Sequence, residues 1–216
     1  MKHNYNKWNK YTVGGVKFIN SRRHHRCRAE YVNRVLASGY ETILEIGAGE
    51  AIEAQKIRKQ KPDVDYVILD VSDFFLKQAE DLGFTTVKAE MTDTGFVDKR
   101  FDLVYGCAVL EHSPDIQATI KELRRVSKNF YFTMFRWSMK SEELRHRYRK
   151  KKKFYSSTFN IYCLLDLIKQ YGNIKEMFIS TLDGKVIGWN EYVEGLGDTD
   201  VHRNGNWLSI VGEWRK

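Results

Sequence analysis

Cysteine is scarce in this 216-residue chain: Cys27, Cys107 and Cys163 are odd in number, far apart and form no CxxC pair. That pattern argues against a disulfide framework or a structural zinc site, leaves no metal site to expect, and fits a reducing, cytoplasmic compartment. Proline occurs only twice, and no Gly/Ser/Pro-rich linker or internal repeat breaks the chain. No apolar run approaches the ~20 residues of a membrane-spanning helix. The opening MKHNYNKWNK also lacks the apolar centre of a signal peptide. At 42% hydrophobic and 30% charged, the composition is that of an ordinary globular protein with one sizeable core.

Acids are missing from two places. Residues 1–28 carry Lys2, Lys7, Lys10, Lys17, Arg22, Arg23, Arg26 and Arg28 with no Asp or Glu. Residues 145–153, RHRYRKKKK, carry three Arg and four Lys, again without an acid. Because the whole chain is only +8, everything outside these two segments is acidic. Such asymmetry marks either an anionic partner or two solvated segments, and charge alone leaves both open.

Apolar patterning sets out the elements. TILEIG (42–47) is a short apolar run ending in glycine, which suits a buried parallel strand. Ile52 and Ile57 then stand at helical spacing until Lys61-Pro62-Asp63 stops the run. YVILD (66–70) reads as a second strand, followed by a helix, FFLKQAEDLG, capped by Ser72 or Asp73 and ended by Gly83. FTTVKAE (84–90) and FDLVYGCAVL (101–110) are the third and fourth strands. Pro114 opens a helix to about Ser127, and NFYFTMF (129–135) is the fifth strand. TFNIYCLLDLIKQYG forms an amphipathic helix ending at Gly172, and IKEMFISTL and WLSIVGEWR close the pattern as strands separated by a long loop. Strands alternating with helices predict right-handed βαβ units in a Rossmann-like three-layer α/β/α sandwich. The sheet is expected to be mostly parallel and seven-stranded, with the last two strands pairing antiparallel at one edge.

The loop after the first strand, Gly47-Ala48-Gly49-Glu50-Ala51-Ile52, lacks what a dinucleotide needs. The third glycine of GxGxxG would fall at Ile52, and no GK[ST] follows, so neither a pyrophosphate cradle nor a P-loop is present. GxG alone marks only a tight turn. Its context is more specific. Glu45 lies two residues before Gly47, Asp70 ends the second strand, and Glu90 ends the third. A carboxylate at Asp70 can accept bonds from both hydroxyls of a ribose. Acids at three successive strand ends around a glycine turn describe a site for an adenosine ligand without a pyrophosphate.

In these residues the chain resembles the class I S-adenosylmethionine-dependent methyltransferases, particularly the small-molecule kind called methyltransferase type 11. The resemblance runs from about Thr42 to Phe135 and more weakly to Gly172. ILEIGAGEA matches the family's first motif with Ala51 for its last glycine, LDVSD matches the strand-two acid, and AEM places Glu90 where the family has Asp. FDLVYGCAVLEHSPDIQATIKELRRVSK follows the family's fourth-strand segment and helix most closely. The resemblance implies S-adenosylmethionine as cosubstrate, with Glu45, Gly47, Ala48 and Gly49 along its methionine and ribose. It also implies Asp70 on the ribose hydroxyls, Val71 and Phe75 flanking the adenine, and Glu90 and the Met91 amide at its edge. Glu50 either bonds the cosubstrate's ammonium group or merely opens the helix through its dipole.

His112, in LEHSP, falls by the same resemblance near the transferring methyl, as a general base or acceptor-positioning group; its alternative is a structural histidine beside the helix at Pro114. Cys107 reads as a small buried residue. The local YGCA lacks the Asn-Pro-Pro-Tyr kind of segment that supports methylation of nucleic-acid amino groups. A single domain over 1–216 is expected, with a basic helical or lid segment at 1–40, a cosubstrate core at 41–135, a basic insertion at 136–157 and C-terminal elements at 158–216. The two basic segments suggest a small anionic or phosphate-carrying acceptor. RHRYRKKKKFYSS, which interleaves aromatics with cations, would also suit nucleic acid through Arg145–Lys153. A cosubstrate-binding interaction protein without catalysis is the remaining reading.

Overall fold

The structure is a computed structural model. It describes residues 22–139, 148–149, 154–155, 157–181, 183, 185–195 and 207–215, the side chains of 22–27 and of the two strands between 148 and 155 excepted. The basic stretch 1–21 and most of Arg145–Lys153 lie outside the described residues.

Five parallel strands form the centre: β1 (Thr42–Ile46), β2 (Asp65–Asp70), β3 (Thr85–Lys88), β4 (Phe101–Cys107) and β5 (Ser127–Met134). Four short strands follow: β6 (Trp137–Ser138), β7 (Tyr148–Arg149), β8 (Phe154–Tyr155) and β9 (Phe159–Asn160). β10 (Gly172–Ser180), β11 (Val186–Gly188) and β12 (Trp207–Trp214) complete the main sheet, whose order is β11-β10-β12-β5-β4-β1-β2-β3. The expected seven strands are all present. β10 and β12 pair antiparallel as expected, with β12 slotted between β5 and β10. An eighth strand, β11, forms the antiparallel edge within what the sequence suggests is a loop. Three residues are too few to show a period, and β11 exists because β10 offers it a pairing edge.

Alternation along each strand divides two cores. Leu44 and Ile46 of β1, Val67 and Leu69 of β2, and Phe130, Phe132 and Met134 of β5 face one layer of helices. That layer contains α4 (Ile116–Val126), α5 (Ile161–Tyr171) and α6 (Trp189–Glu194), with Ile120, Leu123, Leu164, Ile168 and Tyr192 packed inward. Ile43, Tyr66, Ile68, Leu103, Tyr105 and Tyr131 face the other layer. There α1 (Arg22–Ala37), α2 (Ile52–Gln60) and α3 (Asp73–Asp81) present Tyr31, Val35, Ala54, Ile57 and Ala79. Side chains on both faces of a strand go to different cores because strand residues alternate.

Local chemistry sets the helix starts. Ser72, rather than Asp73, caps α3 by accepting from the Phe75 amide at 3.4 Å. Asp115 caps α4 through the Ala118 amide at 3.0 Å, so Pro114 stands just before that helix. Asn160 caps α5 through the Tyr162 and Cys163 amides. α4 and α5 pass into β5 and β10 with no intervening residue, at Val126–Ser127 and Tyr171–Gly172. Asp102, from the FDLVY run, ties β4 to the start of β1: it accepts from the Glu41 and Thr42 amides and from Thr42 Oγ1 at 3.0–3.1 Å. Lys128 adds an ion pair at 2.8 Å, and together these donors hold the Asp102 carboxyl down at about 2 against the opposing effect of burial.

Candidate active site

Strand order reverses between β1 and β4, and in open α/β sheets ligands bind beyond the carboxyl ends of the strands at such a point. The glycine turn follows β1 there. Gly47, Gly49 and Ala51 all take left-handed backbone, with φ of 63°, 56° and 53°. Gly47 donates to the Leu69 carbonyl at 2.8 Å, and Ala51 donates to Ala48 at 3.0 Å. A methyl on Gly47 would lie 2.5 Å from Cγ2 of Val109, so this glycine admits a side chain of the segment after β4. A methyl on Gly49 would meet nothing within 4 Å. The two glycines therefore do different work: one closes the wall, and the other leaves backbone facing open space. Ala51 holds the third left-handed position with a Cβ, at a cost of about 1 kcal/mol or more.

Asp70 ends β2 beside this turn and is buried. Its Oδ1 accepts from the Ser72 amide at 2.9 Å. Burial pushes its carboxyl up to about 6, against the pull of the Ser72 and Val71 amides. Val71 is half-buried, and Phe75 is buried with its ring edge-on to Phe74 at 5.3 Å. Glu90 and Met91 follow β3; Glu90 bridges to Asp93, and partial burial raises its carboxyl. Met91 packs against the first core. The structure thus brings Gly49, Asp70, Val71, Glu90 and Met91 to the carboxyl ends of three neighbouring strands.

Glu45 is placed differently. It points into the second core, where Tyr66 donates to Oε2 at 2.7 Å and the Tyr66 and Tyr31 hydroxyls bond at 2.9 Å. Burial first, then the charge of Glu53, push its carboxyl up to about 8. Glu53 itself, in the first turn of α2, is buried against Arg28 of α1 at 3.1 Å. Glu45 stands on the strand before the glycine turn and Glu53 on the helix after it. Glu50 sits in the turn, its carbonyl accepting from Gln55 Nε2 at 3.1 Å, while α2 starts after Ala51.

A 3-10 turn, Leu110–His112, follows β4 and carries half-buried His112, whose amide donates to Val109 at 2.8 Å. Beside it, Glu111 is fully buried, and Oε1 accepts from the Phe135 amide at 3.2 Å. Burial pushes the Cys107 thiol up to about 12, which keeps it protonated. Val109, Glu111 and the Arg28–Glu53 pair have no signal in the sequence beyond their neighbours: Glu111 adjoins His112 in LEHSP, but nothing in that string marks it as buried. Among the described residues no group of His, Cys, Asp and Glu could hold a metal ion, and no helix is long and apolar enough to cross a membrane.

Residues 44–129 match a family model described as a methyltransferase domain. No curated protein matches the chain. Solved structures resemble it over its full length. The complex between the Haloferax volcanii Trm112 methyltransferase activator and a methyltransferase aligns with a TM-score of 0.71 at 16% identity, covering 100% of both chains. The N-methyltransferase NodS from Bradyrhizobium japonicum, solved with S-adenosyl-l-homocysteine, aligns at 0.65 and 10% identity, also over 100% of both chains. Burkholderia thailandensis 1,6-didemethyltoxoflavin-N1-methyltransferase, with S-adenosylhomocysteine bound, aligns at 0.68 and 12% identity, covering 98% of this chain and 86% of its own. Residues 44–129 therefore match a methyltransferase domain, and the chain as a whole has the fold of the S-adenosylmethionine-dependent class I methyltransferases.

Proposed function

We propose that this chain transfers a methyl group from S-adenosylmethionine to a small anionic or phosphate-bearing acceptor. One juxtaposition supports the reading most: bare backbone at Gly49, facing open space after β1, while the neighbouring strand β2 ends on the buried carboxylate of Asp70. The cosubstrate, when bound, supplies a methyl carbon on a positive sulfur, and the C–S electron pair leaves with sulfur as the acceptor's lone pair forms the new bond. The chain's residues bind and align. Gly47, Ala48 and Gly49 run beside the methionine and ribose, with Glu45 supporting that turn from beneath through Tyr66. Asp70 accepts from the ribose hydroxyls, Val71 and Phe75 flank the adenine, and Glu90 and the Met91 amide meet its edge. His112 takes the acceptor's proton or positions the acceptor. Alignment of two reactants can supply roughly 7–11 kcal/mol, so no covalent nucleophile is required.

The anionic acceptor rests on the charge of 1–28 and 145–153, the second of which follows β5 in the chain. Calorimetric titration with S-adenosylmethionine tests the cosubstrate, and no binding would end the proposal. Turnover of labelled cosubstrate in cell extract, measured at two salt concentrations and with Lys150–Lys153 changed to Ala, tests the acceptor. Indifference to both would remove its anionic character, and donor binding without S-adenosylhomocysteine formation would favour an interaction protein.

A further inference from the structure

Both ends of the basic insertion meet one residue. The insertion leaves β5 through Phe135 and Arg136, and the Phe135 amide donates to Glu111 Oε1 at 3.2 Å. It returns through Ser157, whose amide donates to the Glu111 carbonyl at 2.8 Å. Ser157 and Glu111 are both buried. Between these ends, β7 and β8 pair as an antiparallel ribbon, and β8 packs against the 3-10 turn that carries Glu111 and His112. The base is closed further by the Phe159 amide on the Arg136 carbonyl at 3.2 Å and by β6 pairing with β9. Glu111 Oε2 is buried with no hydrogen-bond partner among the described residues.

We propose that Glu111 is the positioning residue that couples the chain leaving β5 at Phe135 and the chain returning at Ser157 to the turn bearing His112, so that these two segments and the candidate catalytic group are held as one unit. The side chain holds the outgoing strand and the main chain holds the returning one, so a shift of Glu111 shifts both ends of the insertion together. The consequence rests on the proposed methyltransferase function: the turn that Glu111 ties to both segments is the one that presents His112 to the acceptor. Burial pushes the Glu111 carboxyl up to about 7, opposed by the amides and charge around Phe135 and Arg136, which agrees with a group held by backbone donors rather than by solvent.

The experiment is amide hydrogen exchange on the full chain, in wild type, Glu111→Ala and Glu111→Gln, with S-adenosylmethionine and inorganic polyphosphate titrations on each. In Glu111→Ala the Phe135 amide loses its acceptor directly, and its exchange rises at least about tenfold. The Ser157 amide keeps its own acceptor, the main-chain carbonyl, yet its exchange is expected to rise by a similar factor because the turn is released. Glu111→Gln, which retains an acceptor oxygen and the volume, restores most of the protection at both amides. S-adenosylmethionine affinity stays within about twofold in both variants. Unchanged Ser157 exchange in Glu111→Ala would overturn the proposal, leaving Glu111 a local bond to Phe135. Equal loss of protection across β1 and β2 would overturn it as well, by making the effect a general loss of stability. Wild type failing to bind polyphosphate removes the anionic-acceptor reading, while the exchange result still decides the role of Glu111.

Discussion

Gly47 and Gly49 have nearly the same backbone, with φ of 63° and 56°, yet alanine at each should fail in opposite ways. Both substitutions place a Cβ in the left-handed region at about 1 kcal/mol, a cost this turn already carries at Ala51. Only at Gly47 does the new methyl also collide, at 2.5 Å from Val109 Cγ2 and 3.1 Å from Val109 Cβ. Overpacking of this kind adds roughly 1–3 kcal/mol, so Gly47→Ala should cost about 2–4 kcal/mol and Gly49→Ala about 1. Cosubstrate binding should show the reverse preference. At Gly49 the methyl enters the open space that the proposed ligand fills, and affinity should fall at least about tenfold with little change in stability. Urea unfolding gives the first comparison and calorimetric titration with S-adenosylmethionine the second. A cycle with Val109→Ala sharpens the test, because it removes Cγ2 and should recover about 1–2 kcal/mol in the Gly47→Ala background alone. Equal stability of the two glycine variants, or unchanged affinity in Gly49→Ala, would refute the division of labour between them.

Asp70 gives a pH signature: its carboxyl titrates at about 6, and the ionised form is the one that accepts from hydroxyls, so donor affinity should decline as pH falls through about 6. Asp70→Asn should bind roughly 10- to 100-fold more weakly and show no such decline, since hydrogen bonds to charged groups contribute about 1.5–3 kcal/mol; a wild-type affinity flat from pH 5 to 8 contradicts this. Asp102 is depressed to about 2 from 3.8, so its stabilisation is full above about 3.8 and lost as pH falls through about 2. Asp102→Asn should therefore cost about 2 kcal/mol at pH 7 in urea unfolding and almost nothing near pH 2. Glu45 has the opposite sign: its carboxyl is pushed up to about 8 from 4.5, the native state holds a proton that the unfolded chain has released, and stability falls as pH climbs between those values. Thermal melts of Glu45→Gln should show a flatter dependence over that range, and an unchanged slope would exclude Glu45 as its source.

The central strands were legible because TILEI and DYVILD are buried on both faces, which a run of apolar residues records directly. Ser72 and Gly83 announced the limits of α3 for equally local reasons: a hydroxyl that accepts an amide and a residue suited to a helix end. β11 and α6 were not legible. Val186–Gly188 is a strand only because β10 lies beside it, and Trp189–Glu194 is a single short helix whose Tyr192 is held by the core. The site divides in the same way. Asp70 and Glu90 stand out as acids that end apolar runs. Glu45 looks equivalent in one dimension, and only the approach of Tyr66, 21 residues later, shows that its carboxyl turns into the core. Glu111 was invisible for a related reason, because its partners at Phe135 and Ser157 come from either side of an insertion.

The position of β12 bears on how the protein is made. These eight residues lie later in the chain than any other described element except Arg215, yet they are bonded on one side to β5 and on the other to β10. During synthesis the five parallel strands emerge first and leave the outer edge of β5, from Asn129 to Met134, without its neighbour. β10 and β11 emerge next and have no sheet to join. Only after Trp214 clears the ribosome can the two parts be stitched together, several seconds after β5 at roughly 5–20 residues per second. An uncovered edge carrying Phe130, Tyr131, Phe132 and Met134 is a template for pairing with other chains. A product that stops before Trp207 should therefore accumulate as aggregate rather than as a weakened version of the folded protein.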